Sequence, residues 1–154
     1  MKTELSLKPI LIILAIITTF VLFSFIKLSI ERATKKAKEI ERIESHSFKY
    51  NNCEQYALVA LKDGWFPYYN CDTSDSIYLY KGEVWKYGKT CLGESERYKS
   101  GLPTENLRFV QQFKGSEKEC LIMEKEKIYN YPNLPECIKR NIFLHRPPGN
   151  KIDR

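Results

Sequence analysis

The chain carries 25 Lys+Arg against 19 Asp+Glu in 154 residues, a net charge of +6, with 43% hydrophobic and 29% charged residues. These values exclude a wholly disordered tail or a collagen-like fibre, and the length suits one globular domain. The average conceals a division: Pro9 to Ile26 is a run without a charge, and the remaining chain is polar and rich in Tyr and Lys.

That run defines the organisation. About 18 residues at about 1.5 Å each span roughly 27 Å, enough for a bilayer core. Phe25-Ile26-Lys27-Leu28 closes the run with no small-residue cleavage pattern behind it, which favours an uncleaved anchor over a signal peptide. We therefore divide the chain into a polar N-terminus (1–8), a transmembrane helix (9–26), a charged helical stalk (27–44), an extension of the globular domain (45–75) and the main domain (76–154). Basic residues concentrate downstream of the span, at Lys27, Arg32, Lys35, Lys36, Lys38 and Arg42, against Lys2 and Lys8 upstream. The bias predicts a single-pass protein of the cell membrane with a cytoplasmic C-terminal domain.

Within the globular part, Asn51 or Asn52 is expected to cap a helix through Tyr56 to Leu61, stopped by Gly64. The aromatic stretch Trp65-Phe66-Pro67-Tyr68-Tyr69 either packs on the core or receives nucleobases by stacking. Ser76-Ile77-Tyr78-Leu79-Tyr80 and Val84-Trp85-Lys86-Tyr87 read as two strands of a hairpin turning at Lys81-Gly82-Glu83. A helix is expected near Glu94 and a third strand over Leu107 to Phe113. Ser116 with Glu119 forms a capping box that opens a helix to about Asn130. Its Cys120, Met123, Glu124, Lys127, Ile128 and Tyr131 share one stripe. A short helix over Glu136 to Arg140 and a basic Arg146-Pro147-Pro148-Gly149-Asn150 loop complete the chain. The expected fold is α+β: a small three-stranded mixed sheet flanked by helices, preceded by one N-terminal transmembrane helix.

Five cysteines are scattered without a CxxC pair, poor material for a zinc site. In a cytoplasmic domain they are small apolar residues; in an oxidising compartment Cys53–Cys71 is the nearest pair in sequence.

Glu124 on the inward stripe is the informative residue, because a carboxylate there needs a salt-bridge partner or a bound cation. With it stands an ordered series: Ile77-Tyr78, then Trp85-Lys86-Tyr87-Gly88-Lys89-Thr90, Arg97, Glu124 and Asn150. This series resembles the GIY-YIG nuclease family, with Ser76-Ile77-Tyr78 for the first triplet and Lys86-Tyr87-Gly88 for the second. The resemblance covers about Ser76 to Lys151. It implies a hydrolase that cuts phosphodiester bonds in nucleic acid, DNA in the first instance. Tyr78, Lys86, Tyr87, Arg97 and Glu124 are its catalytic candidates: Tyr78 as base, Arg97 on the transferring phosphoryl group, and Glu124 holding one Mg²⁺ or Mn²⁺ ion with water. Lys89, Arg146, Asn150 and Lys151 are the nucleic-acid-binding candidates. The domain also resembles nuclease modules at the ends of bacterial polymorphic toxins, which implies an immunity protein as partner. The alternative is a catalytically inactive GIY-YIG-like module that binds nucleic acid or protein at the membrane.

Overall fold

The computed structural model describes residues 7–71, 74–140 and 142–151. The outermost parts of the expected polar N-terminus and of the basic C-terminal tail, residues 1–6 and 152–154, lie outside the described residues, as do two residues of the polar loop before Ser76. The chain divides into two compact units, one ending at Ala37 and one beginning at Lys38.

Helix α1 runs unbroken over Leu7–Glu44. Pro9 falls in its first turn, where an absent N–H removes no helical bond, and no Gly or Pro follows to break it. From Leu11 to Ile30 every residue is exposed. Hydroxyls in the apolar part are satisfied by the helix itself: Thr18 donates to the Ala15 carbonyl at 2.9 Å, Thr19 to Ile16 at 2.9 Å and Ser24 to Phe20 at 3.0 Å. The helix is long and apolar enough to cross a membrane.

The second unit is α+β. Its main sheet has three strands in the order β4-β1-β5, with β1 over Cys53–Ala60, β4 over Val84–Thr90 and β5 over Leu107–Gly115. Both pairings are antiparallel, so the sheet is not mixed as expected. A two-stranded ribbon joins β2 (Gly64–Pro67) to β3 (Ser76–Leu79). The registers nest: Tyr56 faces Gly88, Val59 faces Val84, Gly64 faces Leu79 and Pro67 faces Ser76. The chain from β1 to β4 is thus one long hairpin, interrupted at residues 61–63 and 80–83.

This arrangement corrects two expectations. The segment Tyr56 to Ala60 is not a helix but most of the central strand, so β1, which lies within the expected extension, is the centre of the main sheet. Gln55 to Ala60 is uncharged and almost wholly buried. A strand covered on both faces needs no polar alternation, and its apolar run is then indistinguishable by period from a buried helix. The turn at Lys81-Gly82-Glu83 does form, with Gly82 at φ +88° and the Glu83 N–H donating to the Tyr80 carbonyl at 3.0 Å. The strands it joins pair not with each other but with β2 and β1.

Helix α2 is a single short piece, Gly93–Arg97. Helix α3 spans Glu117–Asn130 and opens with the expected capping box: the Ser116 hydroxyl accepts from the Glu119 N–H, and the Glu119 carboxylate accepts from the Ser116 N–H at 2.8 Å. It packs on the sheet through Cys120 and Ile128. It also buries Lys125, 2% exposed, whose ammonium lies 3.4 Å from the Glu39 carboxylate. A 3₁₀ turn (Tyr131–Asn133) and α4 (Pro135–Ile138) follow. Tyr56, Leu58, Phe66, Leu79, Trp85 and Tyr131 fill the core.

Candidate active-site cleft

Strand β4 supplies the floor of the site. Successive side chains on a strand point to opposite sides, and here Tyr87 and Lys89 point to the α3 side. Tyr87 packs edge-on to Tyr131, centroids 6.4 Å apart, under the Lys127 ammonium. Burial pushes its phenol up to about 12. Lys89 is ion-paired with Glu117 at the start of α3. Lys86, adjacent to Tyr87 and alternating with it, opens into a cleft of about 490 Å³.

Arg97 reaches the same cleft from α2. The Thr90 hydroxyl at the end of β4 accepts from the Leu92 N–H at 3.2 Å and donates to the Gly93 carbonyl at 3.3 Å, a turn that launches α2 directly off the strand. The Tyr56 and Tyr98 hydroxyls beside the guanidinium hold Arg97 above its ordinary range. Those two hydroxyls lie 2.8 Å apart, and the Tyr56 ring stacks on Phe109 with centroids at 4.4 Å.

Glu124 enters from α3. Desolvation raises its carboxyl to about 7, and the cations Lys125, Lys86, Lys89 and Arg97 offset only part of that effect. Among the described residues it makes no hydrogen bond or ion pair. Lys86, Arg97 and Glu124 therefore share one cleft, with Lys151 and Tyr69 at its side and Trp85, Pro103, Gly149 and Asn150 as walls. Three cations face one carboxylate, a balance suited to a polyanion.

Two of the expected site residues lie elsewhere. Tyr78 sits on β3 opposite Trp65, edge-on to that ring at 5.6 Å and to Tyr80 at 5.4 Å, and does not line the cleft. Its triplet belongs to the outer ribbon, because the partner of β4 is β1. Tyr87 is a core residue.

The expected nucleic-acid contacts also redistribute. Lys89 is committed to Glu117, and Arg146 is half-buried outside the cleft lining. Asn150, 6% exposed, spends both ends of its amide on the Tyr87 backbone, accepting from the N–H and donating to the carbonyl, each at 2.9 Å. Together with the Gly149 N–H on the Trp85 carbonyl at 2.7 Å, it closes the outer edge of β4. Gly149 is required there: a Cβ would meet the Trp85 ring at 2.7 Å. Of the four, Asn150 and Lys151 line the cleft, Asn150 with its amide committed to the Tyr87 backbone.

Sequence reasoning missed Tyr56 and Tyr98; Tyr69, in the aromatic stretch expected either to pack or to receive bases, lines the cleft. The Tyr98 signal was its adjacency to Arg97. Tyr56 was masked by the long segment that separates β1 from β4.

The chain matches no family model, no curated protein and no solved structure.

The chemistry of the donor set bears on a metal. Among the described residues no three His, Cys, Asp or Glu side chains gather into a cage. A single inward carboxylate without a salt-bridge partner among the described residues still fits Mg²⁺, which is commonly held by one or two carboxylates, waters and substrate phosphate.

Proposed function

We propose that this protein is a membrane-anchored, metal-dependent nuclease of the GIY-YIG type, acting on DNA. The observation that carries the reading is the meeting of Lys86, Arg97 and Glu124 in one cleft from three separate elements. In this reading Glu124 would hold Mg²⁺ or Mn²⁺, which when bound polarises the scissile phosphate and steadies the leaving oxygen. The Arg97 guanidinium neutralises charge that develops on the phosphoryl group. Lys86, at the place of the family's second-triplet tyrosine, donates from Nζ to a non-bridging phosphate oxygen. Tyr56 takes no substrate; its hydroxyl, with that of Tyr98, fixes the direction of Arg97. Lys151 attracts the strand to the cleft.

In this reading helix α1 would anchor the activity in the bilayer; the basic residues from Lys27 to Arg42 favour a cytoplasmic domain, whereas the Cys53–Cys91 disulfide favours an oxidising compartment. A reporter active only in the cytoplasm, fused after Arg154, tests the orientation: activity supports it, and activity of a periplasmic reporter at the same site reverses it.

The nuclease reading is tested by incubating the full-length protein in detergent micelles with plasmid DNA. Nicking that requires Mg²⁺ or Mn²⁺ and stops with a chelator supports it. Nicking that persists undiminished in the chelator overturns the metal's part in it.

A further inference from the structure

The cleft wall carries an aromatic residue that packing alone does not explain. Tyr69 is 45% exposed although it stands beside Trp85, centroids 5.5 Å apart and rings at 71°. Trp85 itself is buried, and its indole N–H is already satisfied by the Pro67 carbonyl at 2.8 Å.

Tyr69 is also held firmly. Its N–H donates to the Pro148 carbonyl at 2.9 Å, and the neighbouring Asn70 amide donates to the carbonyls of Pro147 at 2.8 Å and Asn150 at 3.0 Å. These bonds tie the chain after β2 to the loop that closes β4. Over the Tyr69 ring, 4.7 Å from its centroid, lies the Lys151 ammonium. A fixed, partly exposed ring capped by one exposed lysine, on the wall of a cleft that also holds Lys86 and Arg97, has the two features that bind a nucleotide once the Lys151 side chain swings from the ring to the phosphate: a surface for the base and charge for the phosphate.

We infer that Tyr69 and Lys151 form a nucleotide subsite in which one unpaired base stacks on the Tyr69 ring while Lys151 meets its phosphate, so that the preferred substrate is single-stranded or locally unpaired DNA. In a duplex both faces of each base are covered by its neighbours, and a ring set into a cleft wall reaches only a base that has left the stack. The inference rests on the nuclease reading for the identity of the cleft's ligand.

The test is a binding measurement, kept apart from cleavage by chelating all divalent ions. Full-length protein in detergent micelles is titrated into a short fluorescent single-stranded DNA oligonucleotide and into a hairpin duplex of the same sequence. Tyr69→Ala should weaken single-strand binding on the order of tenfold, the loss of one stacked base. Tyr69→Phe, which keeps the π-face, should stay within about twofold of the parent, and duplex binding should change by less than about twofold in both. Tyr69→Leu keeps apolar bulk without a π-face and should behave as Tyr69→Ala; it carries the test if the alanine variant melts early. Single-strand binding that is unchanged in Tyr69→Leu, or equal losses on both DNA forms, overturns the subsite. Failure of the nuclease reading appears separately, as absent Mg²⁺-dependent cleavage while the Tyr69 dependence of binding persists.

Discussion

The ring of Tyr56 lies across Gly88 so closely that a Cβ at Gly88 would stand 2.5 Å from the ring's ζ carbon. The two residues face each other across the β1–β4 ladder. Because Gly88 has no side chain, the Tyr56 ring can lie flat there and carry its hydroxyl to Tyr98 and Arg97. The glycine of the Lys86-Tyr87-Gly88 triplet thus makes room for the Tyr56–Tyr98 hydroxyl pair near an arginine on another element.

Gly88→Ala should therefore destabilise the fold by about 1–3 kcal/mol through overpacking, read as a lower urea midpoint. Tyr56→Phe keeps the Phe109 stack and removes only the hydroxyl, for a loss of about 1 kcal/mol. Both should reduce cleavage by more than their stability loss explains, because both release Arg97. A Gly88→Ala variant with the parent's stability would contradict the packing described.

Asn150→Ala removes two hydrogen bonds and strands the Tyr87 N–H and carbonyl at the closed edge of β4. Each orphaned group costs about 1–3 kcal/mol, so urea unfolding should show a loss of several kcal/mol. Asn150→Asp should fall short of rescue, since a carboxylate cannot donate to the Tyr87 carbonyl. If both variants unfold like the parent but bind DNA less tightly, Asn150 contacts substrate rather than backbone.

Much of the local structure was legible because local chemistry decides it. Ser116 and Glu119 cap α3 through their own neighbours, and Gly82 turns the chain because φ near +90° suits glycine. Lys86, Arg97 and Glu124, singled out by the family resemblance, meet in one cleft from regular elements. What failed depended on partners distant in sequence. The run from Gln55 to Ala60 is a strand only because β4 and β5 flank it. Tyr78 is the base only by resemblance, because Ser76-Ile77-Tyr78 stands for the family's first triplet, whereas pairing puts Tyr56 beside Gly88. Burial of Lys125 depends on Glu39 near the end of α1, and Asn150 reads as a solvent-facing amide until the edge of β4 that it bonds is known. The cysteine pairing was missed for the same reason: continuing the β1–β4 ladder past Glu54 and Thr90 brings Cys53 to Cys91, not to Cys71.

That disulfide closes a separation of 38 residues, and loop-closure entropy gives it a stabilisation of about 4 kcal/mol. Cys53→Ser with Cys91→Ser should lower thermal stability accordingly, and a dithiol reductant should lower the parent to the same level. A parent whose melting is indifferent to the reductant would show that the pair is not closed in solution.

Glu124 makes stability depend on pH in a stated direction. Its folded carboxyl, raised to about 7, binds a proton more tightly than the unfolded one, whose ordinary value is 4.5. Metal-free protein should thus lose stability as pH rises through that interval, because the folded state must then hold an unpaired buried charge. Glu124→Gln mimics the neutral acid. It should match the parent near about pH 4 and exceed it near about pH 8, with added Mg²⁺ narrowing the gap only in the parent. A gap of the same size at both pH values would contradict the raised carboxyl.

The proposed role of Glu124 is to hold the ion on which DNA cleavage depends. The most direct measurement is Mg²⁺-dependent nicking of plasmid DNA by the full-length parent and by Glu124→Ala, with folding checked by thermal melting and DNA affinity measured in parallel. The expected result is a folded variant that binds DNA as the parent does, through Lys86, Arg97 and Lys151, and does not cut it. A folded Glu124→Ala that cuts like the parent would contradict the account and leave the cleft as a binding site alone.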